Sequence, residues 1–309
     1  MLHTYNTKLY CLISIILLSC IACNTKPEEV PFAPNYCAAM PPFVKRIFPG
    51  KTNIAFSTNE RIKYGLHIVE LRATQGLPDA ILYQDSSWKM AGWLGPLVTD
   101  NRGNVWVAPA PTVNILLNPT KEQNNLYRVD PNTGTMELYL QLPMPDSITN
   151  QNPYGILGLA YNCNASVLYV SSVAGSTRSK QLGAIYAINT TEKKIIATLN
   201  CGDAMGMAVS TKEGYRKLYF GTARNSTVYS VGLASDGTFQ GGIQEAFSIQ
   251  GLGPRGDDKV KKIKEDNQGI LIVTGYEFNY NLTAPTEKQE NKYEYIYNPN
   301  TLKWEQKNY

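Results

Sequence analysis

The sequence predicts an all-β protein, a β-propeller of four-stranded blades, and three observations carry that prediction. Short runs rich in Val, Ile, Tyr and Leu are separated by clusters of Gly, Asn, Asp and Pro, and almost no stretch sustains a helical period. Residues 100–107 (DNRGNVWV) and 266–273 (DNQGILIV) align without gaps, as a tight turn feeding a buried strand. A tyrosine-bearing strand follows each copy, in residues 126–134 (LYRVDPNTG), 185–189 (IYAIN), 228–231 (VYSV) and 295–301 (YIYNPNT). The Asn, Asp, Pro and Gly that close these strands suit hairpin turns, because they preset φ or tolerate positive values of it.

In chain order, the unit is an inner strand, a DNxG-like turn, a buried strand, a loop, the tyrosine strand, a hairpin and an outer strand. Weaker copies of the turn and buried strand are residues 162–170 (NCNASVLYV) and 212–220 (KEGYRKLYF), each preceded by a small apolar strand. Five blades result, at residues 43–91, 92–150, 151–201, 202–250 and 251–309, of which the first is the faintest. A sixth fits between Phe43 and Trp88 if the strands there are short. Because a ring of blades buries one continuous core, residues 43–309 read as a single domain. Asp100 and Asp266 open the repeated turns and are read as scaffold, and Trp106 as core packing.

The N-terminal residues follow another pattern. Lys8 precedes an apolar, uncharged run over residues 9–22. That run is shorter than the roughly 20 residues of a membrane-spanning helix and fits the roughly 7 to 15 of a signal-peptide core. Residues 1–19 are therefore expected to be a cleaved export signal. Residues 17–20 (LLSC) resemble the lipobox of bacterial lipoproteins, with Leu three before the cysteine and a small residue directly before it. The resemblance implies lipidation of Cys20, with Cys23 as the alternative. It also implies a membrane partner, with the protein held by its lipid on the bacterial cell envelope, at the outer membrane, and facing the periplasm or the surface. Residues 20–42 are then the lipidated end and a proline-rich tether. An oxidising compartment permits disulfides, and Cys163 with Cys201, at similar strand ends in neighbouring repeats, is one candidate pair, with the pairing left open.

The body of the chain also carries a family resemblance. DNRGNVWVAP, GLAYNCNASVLYVSS, MGMAVSTKEGYRKLYFGT and LYRVDPNTG resemble blades of the NHL-repeat, gluconolactonase (regucalcin) and strictosidine-synthase-like propellers, over residues 93–309. The resemblance implies the propeller fold, with six blades in the usual member, and a function drawn from a group that mixes enzymes with binding modules. A gluconolactonase-like member would hold a divalent cation with hard oxygen ligands converging from several blades. Here the corresponding strand reads Met205, Gly206 and Met207, where that family carries an Asn next to the Gly.

Composition narrows the chemistry. A net charge of +4 is too small to imply nucleic acid. Beyond the signal the only histidine is His67, so a multi-histidine zinc site cannot be built, and no metal or cofactor is expected unless a cation serves the lactonase-like reading. Buried strands are committed to packing, so recognition residues should collect in the connections between blades. These hold Trp88, Trp93, Tyr154, Asp203, Arg255 and Asp257, with Asn152 beside them, a mixture of aromatic surface and fixed polar groups that suits a polar ligand. The long insertion at residues 276–293 is the second contact region expected. The pattern favours a binding module for a protein, peptide or glycan over an enzyme, and the alternative is a divalent-cation-dependent, lactonase-like hydrolase.

Overall fold

Strands that are apolar on both faces, such as residues 105–109 and 167–172, hold together only when sheets cover them from both sides. The computed structural model describes residues 37–59, 63–71, 80–110, 116–144, 152–282 and 289–307, and Cys20 and Cys23 lie outside them. Its strands form five antiparallel sheets arranged as a five-bladed β-propeller. Blade 1 contains β1 (Ile54–Ser57), β2 (His67–Glu70) and β3 (Ala80–Tyr83), so three strands stand among the described residues where four were expected. Blade 2 contains β4 (Leu94–Thr99), β5 (Val105–Pro109), β6 (Asn125–Val129) and β7 (Met136–Gln141). Blade 3 contains β8 (Ile156–Asn162), β9 (Val167–Ser172), β10 (Ala184–Asn189) and β11 (Lys194–Leu199). Blade 4 contains β12 (Ala204–Ser210), β13 (Lys217–Thr222), β14 (Thr227–Leu233) and β15 (Phe239–Ser248). Blade 5 contains β16 (Lys259–Glu265), β17 (Leu271–Tyr276), β18 (Glu290–Asn298) and β19 (Lys303–Gln306). No sixth blade appears among the described residues.

In blades 2 to 5 the four strands pair in chain order, and the first strands β4, β8, β12 and β16 neighbour one another around the centre. Each β5, β9 and β13 residue is buried, as a second strand packed on two sides should be. Close approach at the centre depends on glycine. A Cβ on Gly158 would lie 1.9 Å from the Met205 carbonyl oxygen, and one on Gly206 would lie 2.5 Å from the Lys262 Cα. The Gly206 of the MGM strand is thus a packing requirement between blades 4 and 5.

Consecutive antiparallel strands give each of these blades two ends. The turn end carries the connections from first to second and from third to fourth strand. The loop end carries those from second to third strand and from blade to blade. At the turn end the repeated turn has the expected chemistry. The Asp100 carboxylate accepts from the backbone N–H of Arg102 and of Asn104, both at 2.9 Å, and from the Trp106 indole at 3.1 Å. Asp266 accepts likewise from Gln268 at 2.8 Å and Ile270 at 2.9 Å.

The described chain begins on this turn end. Ala39 N–H donates to the Asp100 carbonyl and Phe43 N–H to that of Pro131. The short helix α1 (Pro42–Ile47) buries Phe43 and Val44 against blades 1 and 2. The disulfide rules out the Cys163–Cys201 candidate, because Cys37 pairs with Cys163, with Cα atoms 5.5 Å apart. Cys163 follows β8 at the turn end, whereas Cys201 follows β11 at the loop end. The length of a blade separates them. Cys201 is a free thiol whose pKa burial pushes up to about 12. Closing so long a loop with the Cys37–Cys163 bond contributes about 2–4 kcal/mol.

Candidate functional site

The loop end gathers most of the residues selected from sequence, and two buried acids organise it. Asp203 stands directly before β12 and is fully buried. Its Oδ1 accepts from the Ser176 hydroxyl and, at 3.1 Å, from Gly183 N–H. Its Oδ2 accepts from Arg224 Nε at 2.8 Å and from the Tyr280 hydroxyl. Arg224 is held in turn by the carbonyls of Thr177, Arg178 and Lys180, and its guanidinium lies 4.9 Å over the Tyr280 ring. Burial, with the carboxylate at its hydroxyl, raises the Tyr280 phenol well above its ordinary value.

Asp258 repeats the arrangement directly before β16. It too is fully buried, and it accepts from Arg255 Nε at 2.7 Å, Asn291 Nδ2 at 2.8 Å and the Tyr293 hydroxyl at 3.0 Å. Burial and this carboxylate push the Tyr293 phenol up to about 12. Each acid therefore has an arginine and a tyrosine as partners. A carboxylate with its lone pairs occupied in this way is a structural hub.

The start of the blade 5 insertion folds back over the inner strands. Phe278 packs on Tyr154 at 5.5 Å and on Tyr280 at 5.3 Å, and the Tyr154 hydroxyl donates to the Asn281 carbonyl. Met205, Ala223, Tyr276 and Tyr280, with Leu157 and Phe278 packed against them, make an apolar cluster shared by blades 3, 4 and 5. The middle of the insertion, residues 283–288, lies outside the described residues. Asn152, whose amide bonds the Val173 carbonyl and the Tyr154 N–H, orders the connection from blade 2 into blade 3.

The other selected residues separate by environment. Trp88 is a core side chain. It is fully buried, its indole donates to the Gly134 carbonyl at 2.7 Å, and Phe43, Phe56 and Tyr83 surround it. No face of that ring is open for stacking. Arg255 is engaged by Asp258, while Asp257 is exposed beside it. Trp93 is half-buried, edge-on to Tyr64 at 5.9 Å. The Asn118 side chain pins its position, accepting from Trp93 N–H and donating to the carbonyls of Ala91 and Trp93. His67 is buried in β2, and burial lowers its pKa below the ordinary histidine value.

Sequence reasoning did not select Arg224, Tyr280, Ser176 or Asn118. Their roles depend on partners far along the chain, and no local pattern marks them. It did select Asp203, but as a binding group. Among the described residues, no three of His, Cys, Asp and Glu converge in a metal-binding group. Asp203 and Asp258 are each paired with an arginine, so among the described residues neither of these two acids is free to hold a divalent cation.

No protein-family model matches the chain, and no curated protein matches it. Three solved structures with some likeness are distant. A chain of the nidogen/laminin complex is 10% identical, with 79% of this chain and 85% of that chain covered, at a TM-score of 0.47. The soluble aldose sugar dehydrogenase from Escherichia coli is 16% identical, with coverages of 72% and 74%, at 0.40. The gluconolactonase XC5397 from Xanthomonas campestris is 15% identical, with coverages of 72% and 64%, at 0.39. At these values the likenesses say nothing of function, and the fold rests on the sheets themselves.

Proposed function

We propose that the protein is an envelope-anchored propeller lipoprotein that binds a protein, peptide or glycan at its loop end. The carrying observation is that exposed apolar side chains stand on both segments that Asn118 ties together beside Trp93, the loop after β5 and the connection entering β4. Met90 is 54% exposed there, Leu116 86% and Leu117 49%. Large apolar side chains left in water on neighbouring segments suit an interaction surface. The entry of the chain at the opposite end supports the same reading. A lipid on Cys20 would place the turn end toward the membrane and present the loop end outward.

The lactonase-like alternative would need oxygen ligands free to hold a cation, and the two buried acids are committed to arginine. The test uses the full chain in detergent against glycan and peptide panels. A retained ligand is expected to lose roughly ten-fold in affinity in Trp93→Ala, with thermal stability kept. Binding unchanged in Trp93→Ala, together with calcium-dependent lactone hydrolysis, would favour the alternative.

A further inference from the structure

Apolar clusters join the blades in succession. Leu66, Trp88 and Val107 join blade 1 to blade 2, Trp106 and Leu168 join blades 2 and 3, and Tyr169 and Phe220 join blades 3 and 4. Tyr219 and Val273 join blades 4 and 5. Among the described residues, no apolar cluster joins blade 5 to blade 1. The two faces of blade 5 are accordingly unlike.

Register fixes what the second face carries. Ile263, Val273 and Tyr293 are paired across β16, β17 and β18 and pack toward blade 4. One position along, Lys262, Thr274 and Lys292 are paired across the same strands, so they lie abreast on the opposite face. Lys264 follows on that face, two residues after Lys262. Lys262, Lys264 and Lys292 are all exposed, and among the described residues none of their ammonium groups makes an ion pair or a hydrogen bond. Strand spacing sets Lys262 and Lys292 about 10 Å apart with Thr274 between them, and Lys264 about 7 Å from Lys262.

This concentration is peculiar to one strand. The inner strands β4 (LGPLVT), β8 (ILGLAYN) and β12 (AMGMAVS) carry no charged side chain, whereas β16 (KVKKIKE) carries four lysines. Surrounding strands wall Lys262 although its side chain reaches solvent, and that desolvation, with Lys264, Lys261 and Lys292 nearby, lowers its pKa. Like charges side by side on one face of a sheet destabilise it. Glu290 and Glu294 flank Lys292 on the same face, and Glu290 partly offsets the repulsion at Lys262, but their carboxylates are paired with Lys261 and Lys307.

We infer that the lysine-bearing face of blade 5 is a binding site for a multivalent oxyanion, a ligand whose phosphate, sulfate or carboxylate groups are spaced to meet the exposed Lys262, Lys264 and Lys292. Compact ammonium groups suit such ligands as point charges and need no bidentate geometry. The site is separate from the apolar side chains beside Trp93 and does not depend on them.

Calorimetric titration of the full chain in detergent tests it, with inorganic tripolyphosphate and trigalacturonate as probes at low and high salt. Binding of one or both is expected, weakening as salt rises. Tripolyphosphate alone would identify phosphate as the preferred group, trigalacturonate alone would identify carboxylate, and both would show that charge spacing suffices. The double variant Lys262→Ala/Lys292→Ala should bind roughly ten-fold more weakly. Lys194→Ala, which removes an exposed lysine on the outer strand of blade 3, should leave affinity unchanged. The variants remove exposed side chains, and their unliganded thermal unfolding serves as the folding control. The inference is overturned if neither anion binds at low salt, or if the folded double variant binds as the parent does.

Discussion

An aspartate placed directly before an inner strand loses its water once the blade-to-blade connection closes over it. Asp203 is fully buried, and its four hydrogen-bond donors come from three separate loops, with Tyr280 arriving from the blade 5 insertion. Removing the carboxylate would leave Arg224, Tyr280 and Ser176 without their shared acceptor. Asp203→Ala is therefore expected to destabilise the domain by about 3 kcal/mol, because breaking a buried pair leaves an uncompensated group. Thermal unfolding should show a midpoint lower by roughly 6–10 °C. An unchanged midpoint would mean that the carboxylate is not a hub, and would return it to the candidates for ligand binding. The same residue shows how far sequence reading reached. Its place in a connection was legible, but its partners Ser176, Arg224 and Tyr280 are brought to it only by the fold.

At the scale of elements, the seam between blades 4 and 5 contains a carboxyl group that opposes its own ionisation. Glu265 ends β16, one oxygen accepts from the Ser210 hydroxyl at 3.1 Å, and the other is buried without a hydrogen-bond partner. Burial raises its pKa from 4.5 to about 7. The folded state thus binds this proton more tightly than the unfolded state does. Its contribution to stability is complete below pH 4.5 and is lost as the pH rises through 7. Glu265→Gln keeps a neutral side chain of similar shape. It should match the parent near pH 4 and exceed it near pH 8 by about 1–2 kcal/mol, the full shift being discounted for partial exposure. Denaturant unfolding at the two pH values checks this, and a difference independent of pH would exclude the carboxyl as its source. The strands around Glu265 were legible from alternation and the DNxG turn. The unlike faces of blade 5 were not, since they follow from cross-strand register with a bulge between Val260 and Lys262.

For the whole molecule, the question is how the ring is held and which way it faces. Cys37 is tied to Cys163 at the turn end, and the residues after it run across the turns of blade 2. An anchor upstream of Cys37, as proposed, would join the propeller at the end opposite Trp93 and the hub at Asp203. Cys20→Ser is expected to move the protein from the membrane fraction to the soluble fraction and to abolish palmitate labelling. Fractionation with radiolabelled palmitate decides between the cysteines. If Cys20→Ser stays bound and labelled while Cys23→Ser does not, the lipid is on Cys23. Nothing in the propeller itself distinguishes them, because both lie outside the described residues.

The sequence by itself determined the all-β class, a propeller of five or six blades and the chemistry of the repeated turns, and the sheets settled the count at five. Those features come from side-chain alternation and from Asx and Gly residues acting within a few positions of one another, so a short window contains their cause. Only the tertiary structure decided that Cys163 bonds Cys37, that Trp88 is core, that Asp203 and Asp258 are bound to arginine, and that three lysines share one face of blade 5. In each of these the partners are far apart in sequence. Antiparallel connectivity decides which end of the ring a residue reaches, and register decides which face it occupies.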